Sequence, residues 1–590
     1  MFKITPRRRF CDPWSQQLNF FRRCDFPGFG ELAVIRIPLP QSMPMGNEVV
    51  RTEAETGSPA SQAPRSLLTG FLRSLRAYPD NVALELGEQR FTYAELWERA
   101  AKIAHALNDC LGATSPVVAL LASRSVSAYS GIIGILASGR GYVPLNPKFP
   151  LERNLAMLNA SRCGAMIVGA ECAAMAKGLL ERVGRPIIVL TPDPDFSLDV
   201  SDSVTVLGAA DMRVAADASE PDVAGSTTAY LLFTSGSTGV PKGVAVSQAN
   251  VSAYLNYAGQ RYKLTPEDRC SQNFDLTFDL SVHDLFLCWD AGATLCPFPP
   301  ESALCPAVCV DEQKLTVWFS VPSVALFASK LGLLEADAFP SLRWSLFCGE
   351  ALTAPIASAW QAAASNSVLD NLYGPTEATI AITHYRWDKE RSPQASLNGV
   401  VPIGWPFAGQ ECRVVTDNLS PTGVGEPGEL CLGGSQVTAG YLDDPEKTRQ
   451  QFVHLPSSDK TWYRTGDLVK QGDDGCIYYL GRRDHQVKIN GYRVELQEID
   501  LVLREAADTD LAVAIPWPVE GANAAGIVAV LWGTNSSNDA DIIVRCQQKL
   551  PKYMVPSRIY RLQEVPLNAN GKIDRRKIAD LLSEASRSAK

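Results

Sequence analysis

The 590-residue chain is poor in histidine: only His105, His283, His384, His454 and His485 occur, and no H-E-x-x-H pattern is present. That excludes a histidine-rich metal site. Positive charge is also short, with 55 Lys and Arg against 64 Asp and Glu and a formal net charge of -9. Without a basic stripe to displace counterions from phosphates, nucleic acid is not an expected partner. No apolar run reaches the roughly 18 residues of a membrane span. Arg7, Arg8 and Arg9 are followed by no apolar segment, so neither an anchor nor a cleaved signal is expected. The fifteen cysteines are scattered, and the nearby Cys305 and Cys309 have no second pair at zinc-ligand spacing. They read as reduced core thiols of a cytoplasmic protein.

What is present is globular. With 46% hydrophobic and 20% charged residues the chain is not collagenous, coiled-coil or largely disordered. Its length predicts two to four domains at roughly 100–200 residues each. Residues 1–63 stand apart: the stretch TEAETGSPASQAPRS cannot bury enough surface to offset its ordering entropy. Two readings stay open there, a disordered extension or a reading frame that truly starts at Met43 or Met45. From Ser66 the pattern is α/β. RSLLTGFLRSLRAY has helical spacing, and NVALELGEQRFTYAEL reads as a hairpin entering a helix. VVALLAS, GYVPLNP, AMIVGA and PIIVLT are short apolar runs separated by helix-length segments, which argues for layered sheets with covering helices. From about residue 485 a smaller α+β unit follows: a strand–helix turn in VKINGYRVELQEIDLVLREA, strands LAVAIP and GIVAVLW, and a last helix after Asn570.

The strongest chemical signal is LLFTSGSTGVPKG, residues 231–243. An apolar strand enters a loop of hydroxyl and glycine residues, where backbone N–H groups can close around an anion. The Walker A pattern fails, because Pro241 precedes Lys242 and Gly243 follows it.

With that loop the chain resembles the adenylate-forming superfamily, and within it the amino-acid adenylation domains of nonribosomal peptide synthetases. Further motifs recur in family order over about residues 68–580: FTYAEL, GYVPLNP, FDLSVHDLF, NLYGPTEAT, GELCLGGSQVTAGYL, YRTGDL, GRRDHQVKINGYRVELQEID, LPKYMVP and NGKIDR. The resemblance implies activation of a carboxylate by ATP to an acyl-AMP, then transfer to a thiol. It implies ATP binding by Thr234, Ser235, Gly236, Ser237, Thr238, Gly239 and Lys242. Asn371 and Tyr373 would hold the adenine, and Asp467 and Arg482 the ribose. Thr376 would meet the α-phosphate, and Glu377 would hold Mg²⁺, a hard ion suited to oxygen. Lys572 would be the mobile adenylating lysine and Asp484 the hinge. The implied division is a 64–483 core, the 484 hinge, a mobile 485–585 domain and a 586–590 tail.

Asp279 of FDLSVHDLF falls where amino-acid-activating members carry the counter-ion of the α-ammonium. The remaining pocket positions are Leu280, His283, Phe319, Leu346, Cys348, Leu372, Ile380 and Ala381. That apolar wall disfavours charged side chains, which would lose hydration with no partner. The expected substrate is a small neutral amino acid, L-proline first and alanine second. LFCGEALT, GYRVEL and Asp284 are similar to stand-alone prolyl and D-alanyl carrier-protein ligases. Asn490 stands where Arg is usual and Gln497 replaces a usual glycine, neither at an ATP position. No phosphopantetheine site follows Arg575, so a peptidyl carrier protein in trans is the implied acceptor. Two rivals are carried: an acyl-CoA ligase using free CoA, and a catalytically silent nucleotide-binding scaffold.

Overall fold

Local capping sets the long helices. Thr92 accepts from the Glu95 N–H while the Glu95 carboxylate returns to the Thr92 N–H, so the helix Tyr93–Cys110 starts where the FTYAEL hairpin ends. Ser247 and Asn250 build the same start for Gln248–Tyr262. The structure is a computed structural model that describes residues 65–590 apart from 113–114, 202–203, 214–219, 237–240, 299–301, 303–305, 457, 484–485, 510, 521–522, 533–537, 567–572 and 589–590. The 1–63 extension, Ser237, Thr238, Gly239, Asp484 and Lys572 lie outside the described residues.

Two large sheets carry the core. A seven-stranded sheet runs in the order Val206–Gly208, Ile188–Thr191, Ala165–Val168, Val117–Leu121, Gly141–Leu145, Thr228–Thr234, Lys242–Ser247. It is parallel except for the last pair, where Thr234 faces Lys242 across an antiparallel hairpin. A nine-stranded sheet has a parallel centre: Val368–Tyr373, Trp344–Phe347, Val317–Ser320, Arg269–Gln272, Thr294–Pro297 and Val82–Leu86. Strands buried on both faces explain the near-continuous apolar runs in the sequence. The helix Leu280–Asp290 packs on the nine-stranded sheet and is buried over nearly its whole length, with Trp289 donating to the Ala83 carbonyl. The expected α/β layers are thus present.

An antiparallel five-stranded sheet follows, closing with Thr461–Gln471 against Ile477–Arg482. From Gln486 the strands belong to two other sheets. One detail differs from the sequence reading. VKINGYRVEL is not a single strand but a hairpin, Gln486–Ile489 with Tyr492–Glu495, and the helix Leu496–Ala507 comes after it. The turn is Asn490–Gly491, with φ 50° and 81°. Both central residues of such a turn need positive φ, which Asn-Gly supplies. The last helix also passes the implied 585 boundary and runs Arg575–Ser588.

The segment after Gln486 packs on the core through both polar and aromatic contacts. Arg153, on helix Leu151–Ser161, pairs with Glu498, their side chains only 6% and 2% exposed. Glu498→Ala should cost on the order of 3–5 kcal/mol, because it strands a buried guanidinium. Thermal unfolding and amide exchange of Leu496–Ala507 would measure the loss. Adding Arg153→Met should recover part of it; strict additivity of the two changes would disprove the coupling.

Candidate active site

The site lies beyond the carboxyl ends of the parallel strands of the nine-stranded sheet, where open α/β sheets bind ligands. Strand Val368–Tyr373 ends at Gly374 and Pro375 and enters a short turn of helix, Thr376–Ala378. Thr379 and Ile380 follow at φ 57° and 71°. Positive φ is strained for β-branched residues and persists only when surroundings impose it. Gln436 imposes it here: its buried amide donates to the carbonyls of Ala378, Thr379 and Ala381. The reward is an aimed Ile380 N–H, which donates to Asp279 at 3.2 Å. The Thr376 hydroxyl lies near enough to lower the pKa of the same carboxylate. Burial pushes Asp279 up to about 6, against the pull of those donors.

The residues expected for the pocket wall lie in the main hydrophobic core. Leu280, Phe319, Leu346, Cys348, Leu372, Ile380 and Ala381 are all buried in one cluster. His283 is buried beside them, 4.6 Å from Phe319 ring to ring, with Nδ1 2.6 Å from the Tyr254 hydroxyl. Burial pushes its pKa down to about 3, so the ring is neutral. A tyrosine hydroxyl thus satisfies the buried ring.

A cavity of about 610 Å³ adjoins this wall, lined by Asn371, Tyr373, Arg482 and Lys488 among others. Asn371 donates to the Pro402 carbonyl at 2.9 Å, and its buried Oδ1 has no protein partner among the described residues. Asp467 accepts from the Tyr373 hydroxyl and from Arg482 at 2.8 Å. From the phosphate loop, Ser235 donates to the Arg493 carbonyl at 2.8 Å and the Gly236 N–H faces Glu498. Thr234 has a buried hydroxyl with no partner among the described residues, and Lys242 lies 3.6 Å from Glu495.

Glu377 is fully buried and meets a cation of the chain itself. Arg493 Nη1 donates to both carboxylate oxygens at 3.1 and 2.9 Å, and Tyr441 donates at 2.8 Å. Burial alone would raise its pKa, but Arg493, Tyr441 and Lys242 outweigh burial and hold it below the usual carboxylate range. Among the described residues no three His, Cys, Asp or Glu side chains gather into a metal cage. A lone carboxylate suits Mg²⁺ that arrives with nucleotide phosphates and keeps its waters. The donor set therefore fits the ion, but not while Arg493 is seated.

The family described as AMP-binding enzyme matches residues 71–442. The chain belongs to the AMP-binding enzymes. Phosphinothricin tripeptide synthetase PhsC of Streptomyces viridochromogenes is 33% identical over 551 residues, 92% of this chain and 48% of that protein. Tyrocidine synthase 3 of Brevibacillus parabrevis is 34% identical over 512 residues, 84% of this chain and 7% of that one. The chain thus spans about half or less of these curated relatives. Among solved structures, the Vibrio cholerae adenylation domain AlmE in complex with glycyl-adenosine-5'-phosphate is 32% identical, with a TM-score of 0.80 over 90% of this chain and 100% of that one. The α/β layers described above are the adenylate-forming fold, and no described helix of this AMP-binding enzyme is long and apolar enough to cross a membrane.

Sequence reasoning passed over Arg493, Tyr441, Gln436, Glu350 and Lys488. Arg493 and Lys488 carried a faint signal, being cations directly opposite each other across the Asn-Gly hairpin. Lys488 lies 6.0 Å from the Tyr373 ring, and burial lowers its pKa. Gln436 had none, because its partners are 55 to 58 residues away.

The Arg493 contact sets a pH dependence. A carboxyl held low stabilises the fold above its unfolded value of about 4.3, and that gain is lost as pH falls through the lower folded value. In Arg493→Ala burial would dominate and raise Glu377, reversing the sign. The variant should therefore be weakest at neutral pH, by on the order of 3–5 kcal/mol, and its deficit should shrink towards pH ~5. Thermal unfolding of both proteins from pH 5 to 8 would check this; a constant deficit would refute it.

Proposed function

We propose that this AMP-binding enzyme activates a small neutral amino acid with ATP as the aminoacyl-AMP. It then transfers the acyl group to the phosphopantetheine thiol of a separate carrier protein in nonribosomal peptide biosynthesis. The observation that carries the reading is Asp279: a buried carboxylate that accepts from the Ile380 N–H, with the buried apolar side chains of Leu280 and Ile380 beside it. Such a group needs a cation, and the α-ammonium of an amino acid supplies one. The apolar wall from Leu280 to Ala381 favours a neutral side chain, L-proline first and alanine second.

In this reading Asp279 anchors the ammonium so that the substrate carboxylate points past Thr376 towards the nucleotide cavity. A carboxylate oxygen attacks the α-phosphorus and pyrophosphate leaves. Asn371 and Tyr373 orient the base, while Asp467 and Arg482 take the ribose. Mg²⁺ on Glu377, when bound, offsets phosphate charge. Thr234, Ser235, Gly236 and Lys242 line the phosphate end. Lys572 is assigned to the adenylation step and Asp484 to the hinge between the 64–483 and 485–585 domains.

ATP–pyrophosphate exchange across the proteinogenic amino acids and D-alanine tests the assignment, with the best rates expected for proline and alanine. Preference for glutamate, lysine or tryptophan would overturn the pocket reading. Asp279→Ala should lose on the order of 3–5 kcal/mol of activation, and unchanged efficiency would point to a plain carboxylic acid. With Asp279 at about 6, kcat/KM for the amino acid should fall below pH 6 as the counter-ion is protonated. A profile flat to pH 5 would remove Asp279 from that role.

A further inference from the structure

We propose that Glu350 is a positioning residue for acyl transfer, its carboxylate forming the seat for the Asn490–Gly491 turn. The inference rests on the reading above, that this chain makes an aminoacyl-AMP and passes it to a thiol.

Glu350 follows strand Trp344–Phe347 and is 7% exposed. One oxygen accepts from the Ser323 N–H at 2.8 Å, at the start of helix Pro322–Lys330. The other accepts from the Gly491 N–H at 2.6 Å. The turn is pressed against its seat: a Cβ on Gly491 would come 2.5 Å from Val321 Cγ1, and the φ of 81° already favours glycine. The two following residues are held in the same way. Tyr492 donates to Asp275 at 2.8 Å, and Arg493 occupies Glu377. Three consecutive hairpin residues thus meet three different carboxylates of the large sheets.

Arg493 at Glu377 and a divalent cation at Glu377 exclude each other, so this docked arrangement cannot serve adenylate formation with the ion on that carboxylate. The step left to it is transfer: the thiol sulfur attacks the acyl carbon, the bond to the AMP phosphate oxygen breaks with its electron pair, and the thiol proton passes to solvent. Glu350 acts on that step through the hairpin, without touching the reacting atoms.

Glu350→Gln keeps one carbonyl oxygen but turns an NH₂ against an N–H donor, breaking one of the two bonds. Gly491→Ala spoils the seat from the other side and leaves the Ser323 contact intact. Both full-length variants should keep ATP–pyrophosphate exchange within about three-fold of the parent. Amide exchange at residues 489–493 should quicken by about ten-fold, the size expected for one buried hydrogen bond. Discharge of preformed aminoacyl-AMP to pantetheine should slow by about as much. Unchanged amide exchange, or equal losses in both half-reactions, would overturn the proposal. If Glu350→Gln does not fold, Gly491→Ala decides alone. A parent protein that exchanges with no amino acid would end the functional reading, while amide exchange would still decide the seat.

Discussion

Glu377 can hold one cation at a time, and much of the described site is arranged around that constraint. It is fully buried, so some positive charge must stay beside it. In this arrangement the charge is Arg493, delivered by a hairpin more than a hundred residues away in sequence. The same hairpin brings Lys488 to the Tyr373 ring, Tyr492 to Asp275 and Glu495 to Lys242.

The contacts that hold the hairpin suit a reversible arrangement. They are ion pairs and hydrogen bonds, Arg153 with Glu498, Lys242 with Glu495, Tyr492 with Asp275 and Gly491 with Glu350. Each of these groups can find water if the surfaces part, while the rings of Tyr492 and Phe278, 4.6 Å apart, add an apolar contact. A seam of leucines would bind as firmly but would resist opening. The contrast with the helix Leu280–Asp290, held by aromatic packing against the helix Thr69–Ala77, is one of chemistry rather than area.

The surroundings of Asp279 are built on the opposite principle. Nothing there is poised to move: Thr379 and Ile380 are strained, and Gln436 fixes the strain through three carbonyl contacts. Rigid strands supply Phe319, Leu346 and Leu372, and one helix supplies His283. A preorganised anion in an apolar wall discriminates by charge and size without rearrangement.

Much of this was legible in the chain itself, because strands, helices and the strand-to-loop entry at Thr234 depend on local pattern and turn chemistry. The Asn-Gly turn was legible too, though it was read as a strand–helix junction; the dipeptide demands a hairpin once both strands have partners. The proposed pocket wall rests on family resemblance. Local pattern could not show that Arg493 reaches Glu377, that Glu350 bonds Gly491, or that Gln436 bends the chain at Ile380. Those partners lie from tens to well over a hundred residues apart, and only the packing of the sheets brings a donor within 3 Å of its acceptor. Sequence alone determined the elements and the chemistry of their side chains. Tertiary structure decided which cation sits on the buried glutamate, because burial and proximity are properties of the packed chain and not of any one segment.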